Sequence, residues 1–248
     1  MKRDARFGAI RIRTESQETI AEDIIAHAQA GRGATVFLAN AHMMVTAQEN
    51  VVLRALLEKS LFVLADGMSL VLAARWLGEK VHHIRGTDLM RALCERSAAK
   101  RIPIALIGGT PDTLSVLCEA IQKRWPTLQI GYAVSPPFAD TTEAYNDDVV
   151  RATRSSGAKL LFVGLGCPKQ ELWAGQQVDA LGMPVVCVGA AFDFLAGTKE
   201  EAPTWVRRTG LEWLHRLVSE PRRLWKRYAV TNPKFIWLCW NSALPRRP

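Results

Sequence analysis

Lys159-Leu160-Leu161-Phe162-Val163-Gly164-Leu165-Gly166-Cys167-Pro168-Lys169-Gln170-Glu171 carries the pattern that decides the fold. Leu160 to Val163 make a short apolar run, Gly164 and Gly166 bracket a turn, and a helical pattern begins at Lys169. A strand that hands the chain to a helix through a glycine turn is a βα unit. In parallel α/β sheets, ligands bind at the carboxyl ends of the strands, so the turn is also where a site is expected.

The same alternation recurs on both sides of this unit. Strands are expected at 35–39, 61–65, 104–107, 128–133 and 184–188 as well as 159–163. Helices are expected at 18–30, 43–58, 68–77, 88–100, 112–124, 143–155 and 169–180. The fold class is therefore α/β, a Rossmann-like, largely parallel sheet flanked by helices. Near residue 202 the composition changes and helices take over, at about 203–218 and 221–230. Each begins with a proline, whose missing N–H costs nothing in a first turn. The expected division is a catalytic α/β domain over 1–202 and a basic, Trp-rich helical appendage over 203–248.

Charge divides the chain at the same place. Residues 205–248 hold ten Lys or Arg against Glu212 and Glu220, which accounts for the whole net charge of +8. They also hold five of the eight Trp and the run Phe235-Ile236-Trp237-Leu238-Cys239-Trp240. Basic and aromatic side chains together suit an anionic membrane surface. That run is far below the ~20 residues needed to span a bilayer, so contact is expected to be peripheral. The bland reading is a solvated basic helix packed on the body by its aromatics. A rival is a nucleic-acid-binding tail, since clustered cations read phosphate of any origin. The continuous apolar run argues against that rival, and no nucleic acid is expected as a partner. A tail serving homo-oligomerisation is a third reading.

Five scattered cysteines without a CxxC pair indicate free thiols in a reducing compartment. His82, His83 and His215 stand in no ligand spacing with them, so no metal site is expected. The polar, charged start of the chain does not resemble a signal peptide, which points to the cytoplasm.

The residues after each strand hold the candidate chemistry. Gly108-Gly109-Thr110-Pro111 and Gly164-Leu165-Gly166 are turns whose N–H groups suit a phosphate, or else merely sharp bends. Lys169 stands where a dinucleotide fingerprint needs its third glycine, which disfavours a dehydrogenase. Gly67-Met68-Ser69-Leu70-Val71 lacks the last glycine of a nucleophile elbow, which disfavours a serine hydrolase. The sequence has no P-loop and no Asp-x-Asp to hold a divalent ion on a diphosphate, so protein cations would have to serve. Asp66 reads either as a helix cap or as a general base at the mouth of the sheet. Asp193 carries the same two readings. Glu171 suits the first turn of a helix, whereas Lys169 opposes the helix dipole there and points to a bound anion. Arg85 reads as a second cation or as a surface ion pair.

In this order the segments resemble the WecG/TagA/CpsF family of bacterial glycosyltransferases (glycosyltransferase family 26). The matching segments include Leu38 to His42, Ala65 to Met68, Arg85 to Leu89, Ile107 to Gly109, Val163 to Glu171 and Gly189 to Asp193. In the tail they are Ala202-Pro203 to Trp205, Gly210-Leu211-Glu212-Trp213 to Arg216, and Glu220 to Arg223. Pro168 to Glu171 together with Gly210 to Trp213 are highly specific. The resemblance implies transfer of a sugar from a UDP-sugar, with inversion, onto a sugar linked by diphosphate to undecaprenol, and with no Asp-x-Asp in the sequence no metal or cofactor is expected. It implies that Asp66 is the base and that Asn40, Arg85 and Gln170 line the site with it. His42, Gly108, Gly109, Gly164, Gly166, Lys169, Glu171 and Asp193 are expected to contact substrate as well, and the resemblance implies that the appendage closes over the site at the membrane. Arg216, Arg222 and Arg223 would then clamp the diphosphate, for which guanidinium forks are suited. Leu38 and His42 depart from residues common in the family, so the donor is expected to be a hexose of the glucose or the N-acetylmannosamine type.

Overall fold

The computed structural model describes residues 5–136, 143–203, 205–206 and 211–243, apart from the side chains of 143–145, 216, 223, 242 and 243. The strands β1 (Ala5–Phe7) and β2 (Ile10–Ile12) pair as an antiparallel hairpin. Sequence reading missed this hairpin, because three residues are too few for alternation to register. The main sheet has six strands: β3 (Ala34–Ala39), β4 (Phe62–Ala65), β5 (Ile104–Gly108), β6 (Ile130–Val134), β7 (Leu160–Gly164) and β8 (Pro184–Cys187). They lie in the order β4-β3-β8-β7-β5-β6, and every pairing is parallel.

Strands covered on both faces read as continuous apolar runs, and this sheet shows the cause residue by residue. Phe37, Val63, Ile107, Val163 and Cys187 point into one core, whereas Val36, Leu64, Leu106, Phe162 and Val186 point into the other. The first core is covered by α2 (Ala41–Glu49), α3 (Val51–Lys59), α4 (Met68–Trp76), α7 (Glu143–Ser155) and α8 (Lys169–Leu181). The second is covered by α1 (Gln17–Gln29), α5 (Gly86–Ala99), α6 (Pro111–Arg124) and α9 (Ala191–Ala196). The edge strand β6 is the exception to full burial, with exposed and partly buried residues alternating.

Three elements differ from expectation. The helix expected at 43–58 is two, because Asn50 is extended (φ −114°, ψ 102°) and its side chain caps α3 by accepting the Leu53 N–H at 2.9 Å. The short α9 stands where no helix was expected. In the appendage, α10 (Glu212–Ser219) and α11 (Pro221–Ala243) are helical, and α11 runs on through Pro233, well past the end expected near 230. An internal proline removes one hydrogen bond. Tertiary packing outweighs that loss here, since Phe235 and Cys239 are buried in the core that also contains α2 residues. No helix among the described residues is long and apolar enough to cross a membrane.

Candidate active site

A cavity of about 640 Å³ opens at the carboxyl edge of the sheet, walled by the loops after β3, β4, β5, β7 and β8 and roofed by α10 and α11. Each wall residue is placed by local structure. Asn40 caps α2, its Oδ1 accepting the Met43 N–H at 3.1 Å. Asp66 follows β4, and its Oδ1 accepts the Gly86 N–H at 2.9 Å. The His83 ring donates from Nε2 to the Asp66 carbonyl at 2.6 Å, which pins the segment ahead of α5 against the end of β4. The N-cap of α4 is Gly67, and the Asp66 carboxylate reaches across to the first residue of α5.

Gln170 and Glu171 are buried at the start of α8. Gln170 Oε1 accepts the Gly166 N–H at 3.1 Å and its Nε2 donates to Glu171 Oε1 at 2.7 Å, so the carboxamide is fixed at both ends. Burial pushes the Glu171 carboxyl above its ordinary value, against the lowering effect of its hydrogen bonds to Gln170, the backbone and Cys167. The thiols of Cys167 and Cys187 are likewise pushed up, first by burial and then by the nearby Glu171 charge. They are poor nucleophiles in this setting. His42 is held down to about 4 by burial and by the Arg227 charge, and is neutral at pH 7.

Arg85 is buried at the head of α5. Its Nε and Nη2 donate to the two carboxylate oxygens of Glu212 at 3.0 and 3.2 Å, its Nη1 donates to Asp88 at 3.0 Å, and Glu201 lies at 3.3 Å from Nη2. Burial opposes its charge, but Glu212, Asp88 and Glu201 outweigh that effect and raise its pKa. Arg91 pairs with Glu201 and Asp88 and extends the network.

The cavity wall brings together Asn40, His42, Asp66, Arg85, Gly109, Gly164, Gly166, Gln170, Glu171 and Asp193. Asp193 is also paired with Lys199 at 3.3 Å. Gly108, Lys169 and Arg222 are not in the wall. Gly108 is buried and needed for packing: at φ 124°, a Cβ there would sit 2.5 Å from the Gly164 backbone. Lys169 and Arg222 are exposed. Arg216 and Arg223 stand on α10 and α11, and their side chains lie outside the described residues.

The appendage was expected to close over the site, but the residues that form the roof were not identified from the sequence. Arg227, Tyr228, Thr231, Asn232, Phe235 and Ile236 line the cavity from α11, at the i, i+4, i+8 spacing of one helix face. That periodicity was present, but the helix expected at about 221–230 stops short of its second half. Trp213 enters from α10 and meets Tyr228 edge to face, with ring centroids 6.1 Å apart.

A parallel sheet covered on both faces, with a glycine-lined crevice of mixed polar and apolar lining at its carboxyl edge, defines an α/β protein whose ligand site is built from its strand-to-helix loops. Over residues 5–248 the sequence matches the model of the glycosyl transferase WecG/TagA/CpsF family, and the chain belongs to that family. It is accordingly a glycosyltransferase of polysaccharide synthesis, as the Pro168 to Glu171 and Gly210 to Trp213 segments led one to expect.

Proposed function

We propose that the chain transfers a hexose, of the glucose or the N-acetylmannosamine type, from a UDP-sugar to a sugar carried on undecaprenyl diphosphate in surface or exopolysaccharide assembly. The observation that carries this reading is Asp66, a carboxylate in the cavity wall whose Oδ1 is fixed by the Gly86 N–H. In the reaction, Asp66 takes the proton of the acceptor hydroxyl as that oxygen attacks the anomeric carbon. The bond from that carbon to UDP breaks on the opposite face, giving inversion, and the electron pair leaves with the diphosphate.

The departing charge needs cations or N–H donors. Arg227 is in the wall and near enough for its charge to act on His42 and Cys167. The N–H groups of Gly109 and Gly166 are taken by the Gly164 carbonyl and by Gln170 Oε1, so the turns leave this work to cations, with Arg216 and Arg223 as further candidates from the appendage. Neither metal nor cofactor takes part in this scheme. Asn40 and Gln170 are polar groups locked by their own hydrogen bonds, as orientation of sugar hydroxyls requires. The basic, Trp-rich appendage holds the enzyme peripherally on the cytoplasmic face of the cell membrane, where the lipid acceptor is.

Asp66→Asn is expected to retain the melting temperature and UDP affinity while kcat falls about a thousandfold, within the usual range for a lost general base. Near-normal turnover would remove Asp66 from this role. Screening UDP-sugars against a short-chain lipid-diphosphate acceptor, read by mass spectrometry, identifies the donor.

A further inference from the structure

The body of the protein presents its own apolar surface next to the appendage. On α4, Leu72 and Trp76 lie one turn apart on the same face and are 57% and 54% exposed. On α11, Ile236, Trp237 and Trp240 are 67%, 66% and 59% exposed. The two helices meet where Trp76 stacks on Trp240, with ring centroids 5.9 Å apart and planes inclined at 23°. Trp125 and Trp173, the other two tryptophans ahead of residue 205, are partly buried, so Trp76 alone of the three is exposed. Both indoles of the stack remain more than half open to solvent, a costly arrangement for the largest apolar side chains unless something covers them.

Resting on the membrane reading above, we infer that the lipid-facing surface spans both parts of the chain: Leu72 and Trp76 of α4 insert beside Ile236, Trp237 and Trp240 of α11 into an anionic bilayer. Charge identifies the occupant. Arg75 and Lys80 are exposed on and just after α4, and the appendage carries the whole net charge of +8. Interfaces between proteins are depleted of lysine at their centres, whereas tryptophan with flanking Lys and Arg matches the headgroup layer of a membrane. Glu49 is paired with Lys234 of α11.

Position relative to the cavity gives the surface its use. The first residues of α4, Met68 and Ser69, line the cavity from one side, and Ile236 lines it from the other. A bilayer seated on α4 and α11 therefore lies against the cavity mouth. An acceptor's diphosphate and sugar enter the cavity while its polyprenyl chain stays in the lipid between the two helices.

The test compares the full-length protein with Leu72→Glu/Trp76→Glu and with Trp237→Glu, using co-sedimentation with phosphatidylcholine vesicles with and without phosphatidylglycerol. Both variants are expected to lose about tenfold or more in partitioning onto anionic vesicles, because a charge replaces an inserting side chain. Melting temperature, UDP affinity and turnover of a soluble short-chain acceptor are expected to stay at wild-type levels. Wild-type vesicle binding by the α4 variant while Trp237→Glu is impaired would exclude α4 and overturn the inference, leaving the appendage as the anchor. Loss of self-association in sedimentation velocity with vesicle binding intact would also overturn it, by making the patch a contact between copies. Failure of the wild-type protein itself to bind vesicles would overturn the membrane reading and this inference together.

Discussion

Arg85 and Glu212, 127 residues apart, meet as a two-pronged ion pair in the cavity wall: Nε and Nη2 of the arginine each face one oxygen of the carboxylate. The arginine is nearly buried, and Glu212 opens α10, immediately before Trp213. The pair thus seats the roof of the cavity on the body, and with its donors facing Glu212, Asp88 and Glu201 the geometry makes Arg85 a positioning residue.

Truncating either partner is expected to loosen the roof. Glu212→Ala leaves a buried cation with fewer partners, a loss of about 2 kcal/mol, which corresponds to roughly thirtyfold faster amide exchange across α10. Arg85→Ala should have a similar effect, and the double variant should be no worse than either single one. If instead Arg85 acts only by holding diphosphate, Glu212→Ala will bind UDP as well as or better than wild type, and Arg85→Ala alone will lose affinity.

How far this arrangement was legible in the sequence depends on range. Strand positions were readable because both faces of the sheet are buried, so runs such as Leu160 to Val163 stand out without alternation. Asn40, Asp66 and Gln170 were readable because each follows a strand. The pairing of Arg85 with Glu212 was not, since nothing local in Arg85-Gly86-Thr87-Asp88 marks a partner in the appendage. The α11 wall was lost for a different reason. Pro233 is a strong local stop signal, and the burial of Phe235 and Cys239 that overrides it is a tertiary property.

Gly108 shows that a glycine at the site need not serve substrate. Gly108→Ala combines a positive φ with a Cβ pressed to 2.5 Å from backbone atoms of Gly164 that have no rotamer to yield. A destabilisation of about 3 kcal/mol is expected, read from the urea midpoint. A loss below about 1 kcal/mol would mean that β5 and β7 separate easily at this end of the sheet.

His42 gives the site a pH signature. Its folded value of about 4 lies below the ordinary 6.5, through burial and then Arg227. Between those values the unfolded chain binds more protons than the folded one, so stability falls as pH drops from about 6.5 to 4. His42→Gln is expected to flatten that part of the profile, and an NMR titration should place the His42 inflection near 4. An inflection near 6.5 would show that the cavity around the ring is wet.

Glu171 gives the opposite sign. The carboxyl is buried, one oxygen accepts from Gln170 Nε2 at 2.7 Å, and Oε2 has no hydrogen-bond partner among the described residues. With its folded value raised above 4.5 by burial, the folded state holds a proton that the unfolded state releases, so its contribution to stability is lost as pH rises from 4.5 through the folded value. Glu171→Gln keeps the shape and the acceptor for Gln170 while removing this titration. Its stability relative to wild type should therefore improve as pH rises above 4.5, until the folded carboxyl has itself ionised. At neutral pH its kcat should stay within about threefold of wild type, because Gln170 keeps both bonds. Glu171→Ala strands the Gln170 amide and should cost about tenfold in kcat, since an unmet buried donor is worth about 1–3 kcal/mol. A stability gap between wild type and Glu171→Gln that does not change with pH would show that the carboxyl is ionised in the fold. In that case the charge, and not only the shape, would brace Gln170 against the loop after β7.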